Sequence, residues 1–263
     1  MTTSESAPPR SFRAVDSRSP AVTRAVAILE ELSRRQRPMA LVELSRALDL
    51  AKSTVANLCS ALENTHMIRR VDGRWALGYK LVELGRGFLA GTDIVAEFRG
   101  QSSVLPVAAT ETLLLAVLDG SEVIYIARHD GCQPIRLASD IGLRQPAVVT
   151  ALGKAMLAGL SESELDKRLG QVCDLPQLTP RSHRSMDALR RDLDATRERG
   201  YAVDDEQSTE GVTSISVALS GSDNPPTAVG ATLLTARLTT PLRESLVTDL
   251  RQLAARLGQL ARS

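Results

Sequence analysis

Residues Ala40–Leu77 constrain this 263-residue chain more than any other stretch. Leu41, Leu44 and Leu48 recur at helical spacing, which predicts a helix over Ala40–Leu48. Asp49–Lys52 supplies a turn, and Ser53 or Thr54 is expected to cap the following helix through a side-chain oxygen. In that second helix Val55, Leu58, Cys59 and Leu62 face inward, leaving Lys52, Ser53, Thr54, Asn57 and Ser60 outward. Met67–Leu77 then reads as two short strands around Asp72-Gly73, the dipeptide that most favours a tight hairpin. A helix–turn–helix followed by a basic wing is a device for reading duplex DNA.

Position within that device sorts the candidate contacts. Asn57, near the exposed start of the second helix, is placed for bidentate contact with a base edge, most naturally adenine. One such pair contributes about 1–3 kcal/mol of discrimination. Lys52, Ser53, Thr54, Arg69, Arg70 and Arg74 suit phosphate or minor-groove contact, which positions a protein without specifying sequence. Charge is distributed accordingly. Residues 1–80 carry thirteen Lys/Arg against eight Asp/Glu, whereas residues 81–263 carry nineteen against twenty-three. Phosphate neutralisation dominates DNA affinity, so the basic segment is the expected DNA-facing one.

Other chemistries find little support. No apolar run approaches the roughly 18 residues of a membrane span. Met1–Pro20 has no apolar segment of the kind a secretory signal needs. Cys59, Cys132 and Cys173 are odd in number and widely spaced, which suits a reducing compartment and a cytoplasmic protein. Gly153-Lys154 is not a phosphate-binding P-loop, because Val148 occupies the first glycine position and Ala155 replaces Ser/Thr. In Asp204-Asp205-Glu206 consecutive strand residues point to opposite faces, which predicts one inward Asp and solvated neighbours rather than a metal site. His66, His129 and His183 are scattered and read as surface or loop residues. No catalytic arrangement, metal or cofactor is expected.

The chain divides into blocks. Residues 1–20 read as a disordered arm, 21–77 as the DNA-binding domain, 78–93 as a linker helix and 94–263 as a second domain. Ala21–Arg34 is an amphipathic helix expected to bury Val22, Ala25, Val26, Leu29 and Leu32. Gly78–Ala90 carries Leu81, Leu84 and Phe88 on one stripe. Beyond Ile94, Thr112–Leu118 and Glu122–Arg128 form a hairpin, with Pro134–Ala138 as a third strand. Helices are predicted over Thr150–Leu160, Ser161–Leu169, Ser185–Arg199 and Pro241–Arg262. Strands are predicted at Val203, Val212–Leu219 and Ala228–Thr235, with a loop over Ser220–Pro226. The fold class is α+β.

Ala21–Glu30, Leu41-Val-Glu-Leu, Lys52–Leu58, Gly73–Gly78, Leu81–Gly85, Ala151–Ala158, Arg199–Glu206 and Glu210-Gly211 together resemble the isocitrate-lyase-regulator (IclR) family of bacterial transcription factors. The resemblance covers nearly all of the chain after the first twenty residues. It implies a winged helix–turn–helix, a linker helix and a GAF-like domain that binds a small effector, with no enzymatic activity. It also implies homodimers formed largely through the DNA-binding half, commonly paired into homotetramers. Effector contacts carried over from it fall on Ala151, Leu152, Asp204, Ser214, Leu233 and Thr235. Asn57 stands where the family usually has Arg, so a different base preference is expected. Leu152 and Leu233 stand where small or hydroxyl residues are common, which predicts a greasier pocket and a less polar organic acid or an aromatic metabolite. The competing class is a small-molecule-binding module or enzyme whose helix–turn–helix serves protein contacts.

Overall fold

A computed structural model of the chain describes residues 18–90, 93–133, 139–170, 174–223 and 225–260. The expected arm up to residue 17, the strand expected over Pro134–Ala138, and Cys173 lie outside the described residues. The chain falls into two compact units, divided between Phe88 and Leu89.

The first unit contains helices α1 (Pro20–Arg35), α2 (Leu41–Leu48) and α3 (Lys52–Asn64), then the hairpin β1 (Ile68–Val71) and β2 (Arg74–Leu77). Helix α4 (Lys80–Ala90) follows and runs across the division. Pro20 opens α1, where its fixed φ suits a first helical residue. Glu43 accepts the Ala40 N–H at 2.7 Å and so closes the start of α2. Helix α3 begins at Lys52 with Ala51 as its cap and no side-chain capping bond. Ser53 and Thr54 therefore lie inside the first turn and do not cap the helix. The hairpin turns at Asp72 and Gly73, both with positive φ (50° and 72°), the mirror-image turn that matches strand twist.

The core of this unit joins Ile28 and Leu32, Met39, Leu44, Leu48, Val55, Cys59, Leu62, Ile68 and Trp75. One expectation is overturned here. Val22 and Val26 are 62% and 47% exposed, because at 100° per residue they fall on the side of α1 away from Ile28. The buried stripe is Ala27, Ile28, Glu31 and Leu32.

The second unit is built on a six-stranded antiparallel sheet in the order β5-β4-β3-β8-β7-β6. Its strands are β3 (Thr112–Asp119), β4 (Glu122–His129), β5 (Arg144–Pro146), β6 (Ala202–Asp205), β7 (Val212–Asp223) and β8 (Pro226–Leu234). Helices α5 (Asp93–Ser102) and α9 (Thr240–Leu260) cover one face; α6 (Ala151–Ala158), α7 (Glu162–Leu169) and α8 (Met186–Arg199) cover the other. Alternation along β3 shows the layering. Leu114, Ala116 and Leu118 join the α6 side, while Leu113 and Leu115 join the α9 side.

Two further corrections concern this unit. Helix α5 was not expected, and Ser220–Pro226 is not wholly loop, because β7 runs on to Asp223, which pairs with Pro226. The helix ends follow local chemistry: Ser161 and Ser185 cap α7 and α8, and Gly200 ends α8 at φ 75°.

Candidate functional site

The outer face of α3 is unencumbered. Lys52, Ser53, Asn57 and Ser60 are exposed and Thr54 is half-buried. Ser53, Asn57 and Ser60 succeed one another at four- and three-residue spacing and so form one row along the helix. The Asn57 amide bonds to no other described residue, so it is free to meet a ligand. Cys59 is on the opposite side, and burial pushes its thiol up to about 11, which makes it core rather than chemistry.

The wing arginines are exposed but already ordered by neighbours. Arg69 lies over the Tyr79 ring at 5.1 Å, and Arg70 over Trp75 at 3.8 Å with Glu63 at 3.6 Å. Arg74 donates to Glu43 at 2.8 Å, and Arg37 donates to the same carboxylate at 2.8 Å. The Arg37 hydrogen bond and the Ala40 N–H hold Glu43 down at about 2, so it is ionised at any working pH. Glu43 thus offsets one of the two charges that Arg37 and Arg74 bring to this surface. Glu43→Gln keeps the acceptor for Ala40 while removing the charge. Affinity for a random duplex is expected to rise, and the slope of log K against log salt to steepen by about 1. Fluorescence anisotropy at several salt concentrations checks this; an unchanged slope would show that Arg37 and Arg74 do not reach the DNA.

In the second unit, a cavity of about 130 Å³ opens between the start of α6, the strand face and the segment after β6. Ala151, Leu152, Asp204 and Ser214 line it, as do Leu114, Tyr125 and Thr232. Leu233 and Thr235 are not brought to it. Leu233 belongs to the core on the α9 side, and Thr235 bonds Thr213 at 2.8 Å. Strand parity is the reason: Ser214 pairs with Thr232 and shares its face, their hydroxyls 3.0 Å apart, whereas Thr213 pairs with Leu233. With Leu233 removed from the wall, its apolar part is Leu114, Tyr125, Leu152 and Val212, set beside several hydroxyls. Thr150 caps α6 by accepting the Gly153 N–H at 3.0 Å. Gly153 is needed where it stands, since a Cβ there would lie 2.2 Å from the Ala147 carbonyl oxygen.

Family comparison settles what this pairing of units is. The family model described as the IclR helix-turn-helix domain matches residues 21–72, and the one described as the bacterial transcriptional regulator IclR C-terminal matches residues 87–259. The chain belongs to the IclR family. The HTH-type transcriptional regulator XynR of Escherichia coli (strain K12) is 33% identical over 198 residues, covering 74% of this chain and 78% of that protein. The regulator KdgR of the same organism is 31% identical over 198 residues, covering 74% of each. Among solved structures, an IclR transcriptional regulator from Alicyclobacillus acidocaldarius superposes with a TM-score of 0.82 at 25% identity, over 93% of this chain and 100% of that one. This IclR-family protein is therefore a DNA-binding transcriptional regulator with an effector-binding C-terminal domain.

Behind the pocket of this IclR regulator sits a buried polar cluster that sequence reasoning did not assemble. Lys154 is 0% exposed, and its ammonium donates to Asp192 at 2.5 Å, to the Val203 carbonyl and to the Gln207 side-chain oxygen. His183 lies 3.0 Å from the same Asp192 oxygen, so it is part of this cluster rather than a loop bystander. Burial lowers the Lys154 pKa, with Asp192 opposing. Burial also works to raise Asp192, yet the His183 bond and the Lys154 charge outweigh it and hold the carboxyl below its usual range.

Asp204 is buried and points inward, accepting the Gln207 N–H at 2.7 Å, the Ser208 N–H at 3.2 Å and the Ser208 hydroxyl. Burial raises its pKa. Asp205 is exposed beside Arg181, as strand alternation predicts. No group of three metal-ligating side chains occurs among the described residues, and no helix among them is long and apolar enough to cross a membrane.

Proposed function

We propose that α3 lies in the DNA major groove with Asn57 reading a base edge, while Lys52, Ser53, Thr54, Arg69, Arg70 and Arg74 grip the backbone on either side. The unpartnered outward row of α3 beside a basic hairpin is the observation that carries this reading. The protein works by binding alone, without catalysis, on chromosomal DNA in the cytoplasm, and its relatives' names as regulators support that. It acts as a repressor; AllR of Escherichia coli (strain K12), 28% identical over 201 residues, is named one.

The operating species is a homodimer, paired into a tetramer where concentration allows. Large apolar side chains stand exposed on α1 (Val22, Val26) and α4 (Val82, Leu84, Phe88), more than a monomer needs to leave in water. A second copy of this chain covers them, which also presents two recognition helices to two half-sites.

The cavity at the start of α6 holds the effector, a small organic acid. Ala151 and Leu152 line that cavity, and as first-turn residues of α6 their N–H groups have no acceptor within the helix, which suits a carboxylate. Ligand control requires different effector affinities for the DNA-competent and incompetent arrangements. Titrating operator-bound protein with small acids is expected to change the operator Kd by at least about fivefold for one of them. If none does while DNA binding is intact, the pocket has no regulatory role.

A further inference from the structure

The outward row of α3 does not stop at Ser60. Asn64, the last residue of the helix, follows Ser60 by four residues and is likewise exposed. Two helical turns separate Asn64 from Asn57, so the two amides stand on one face. At about 1.5 Å per residue they lie about 10.5 Å apart along the axis. Base pairs succeed one another at about 3.4 Å, so that distance spans about two or three steps of a duplex. Asn57, Ser60, Ala61 and Asn64, all exposed, also repeat the intervals of three, one and three residues by which a homeodomain helix reads the major groove. Every helical Cα–Cβ bond tilts toward the start of its helix, which carries the Asn64 amide back over the row. No hydrogen bond to another described residue holds that amide. Glu63, next to it, is paired with Arg70 at 3.6 Å, so its carboxylate meets DNA with a cation beside it.

We propose that Asn64 is a second base-reading residue, which takes an adenine about two or three base pairs from the adenine under Asn57. This rests on the reading of α3 as the helix in the major groove. An asparagine amide offers a donor and an acceptor side by side, which matches adenine N7 and its N6 amine. Lys52, Ser53 and Thr54 hold the backbone at the opposite end of α3. The helix then lies along the groove, rather than entering it by its first turn alone.

Duplex selection from a random pool, run with the full-length parent and with variants at the two asparagines, tests this. The parent is expected to enrich two fixed A·T pairs at that separation in each half-site. Asn64→Ala is expected to leave one of them unselected and to bind the parent's duplex about tenfold more weakly, with an unchanged melting temperature. Asn57→Ala is expected to lose the other pair. Asn64→Asp is expected to exchange its A·T pair for C·G, because a carboxylate accepts from the cytosine N4 amine. A pool from Asn64→Ala or Asn64→Asp that matches the parent's overturns the role of Asn64 and leaves the Asn57 reading standing. Retention of both pairs in Asn57→Ala, or no enriched sequence for the parent, overturns both.

Discussion

Lys154→Met is expected to destabilise the second unit by about 3–5 kcal/mol, the usual consequence of removing one member of a buried ion pair. The lower end applies, since Asp192 keeps His183 and Arg199 and is itself 17% exposed. What the change strands is a carboxylate, the Val203 carbonyl and the Gln207 amide, all of which the ammonium satisfies at once. Function follows from the same bonds. Lys154 ties α6 to β6 and to Gln207, between which stands Asp204 on the pocket wall, so its loss slackens one side of the cavity. Denaturant unfolding checks the stability, and acid binding checks the wall. Adding Asp192→Leu is expected to recover part of the loss, because an apolar pair leaves no stranded charge. Equal stability of Lys154→Met and the parent would mean that the cluster is not holding the layers together.

Trp75→Ala is expected to cost the first unit about 3–5 kcal/mol. Trp75 sits on β2 with its ring in the small core beside Met39 and Ile28, and its backbone exchanges two hydrogen bonds with Met39 at 2.7 and 2.8 Å. It also carries Arg70 on its outer face at 3.8 Å, so truncation releases a wing arginine as well as opening a cavity. A unit this small has little stability in reserve, the usual total being about 5–15 kcal/mol. The expected result is loss of duplex binding at working temperature with the second unit still folded, seen as one missing transition in calorimetry. Full DNA affinity in Trp75→Ala would show that the wing does not depend on this ring.

These residues also mark where the sequence was legible. Asp72-Gly73 announced the hairpin because a two-residue turn with positive φ at both positions admits few other dipeptides. Ser161, Ser185 and Gly200 likewise marked helix ends through local chemistry. Helix α5 escaped because its buried apolar residues are few, Val95 and Phe98, and the polar Ser102, though buried, gives no hydrophobic signal. Val22 and Val26 were misplaced because an exposed apolar stripe and a buried one have the same periodicity. At the cavity, Ser214 lines the wall together with its strand partner Thr232, while Leu233, one step of strand parity away, lies on the opposite face. The Lys154, His183 and Asp192 cluster joins separate segments through side chains alone, and no local pattern encodes such a meeting.

The central claim is that the exposed row of α3 reads DNA sequence. Its most direct measurement is selection of a preferred duplex from a random pool by the full-length protein, followed by competition of that duplex against a scrambled one. The expected result is one enriched sequence, bound by Asn57→Ala about 10–100-fold more weakly than by the parent protein, with affinity for the scrambled duplex nearly unchanged. An equal loss on both duplexes, or a pool from which no sequence is enriched, would contradict it.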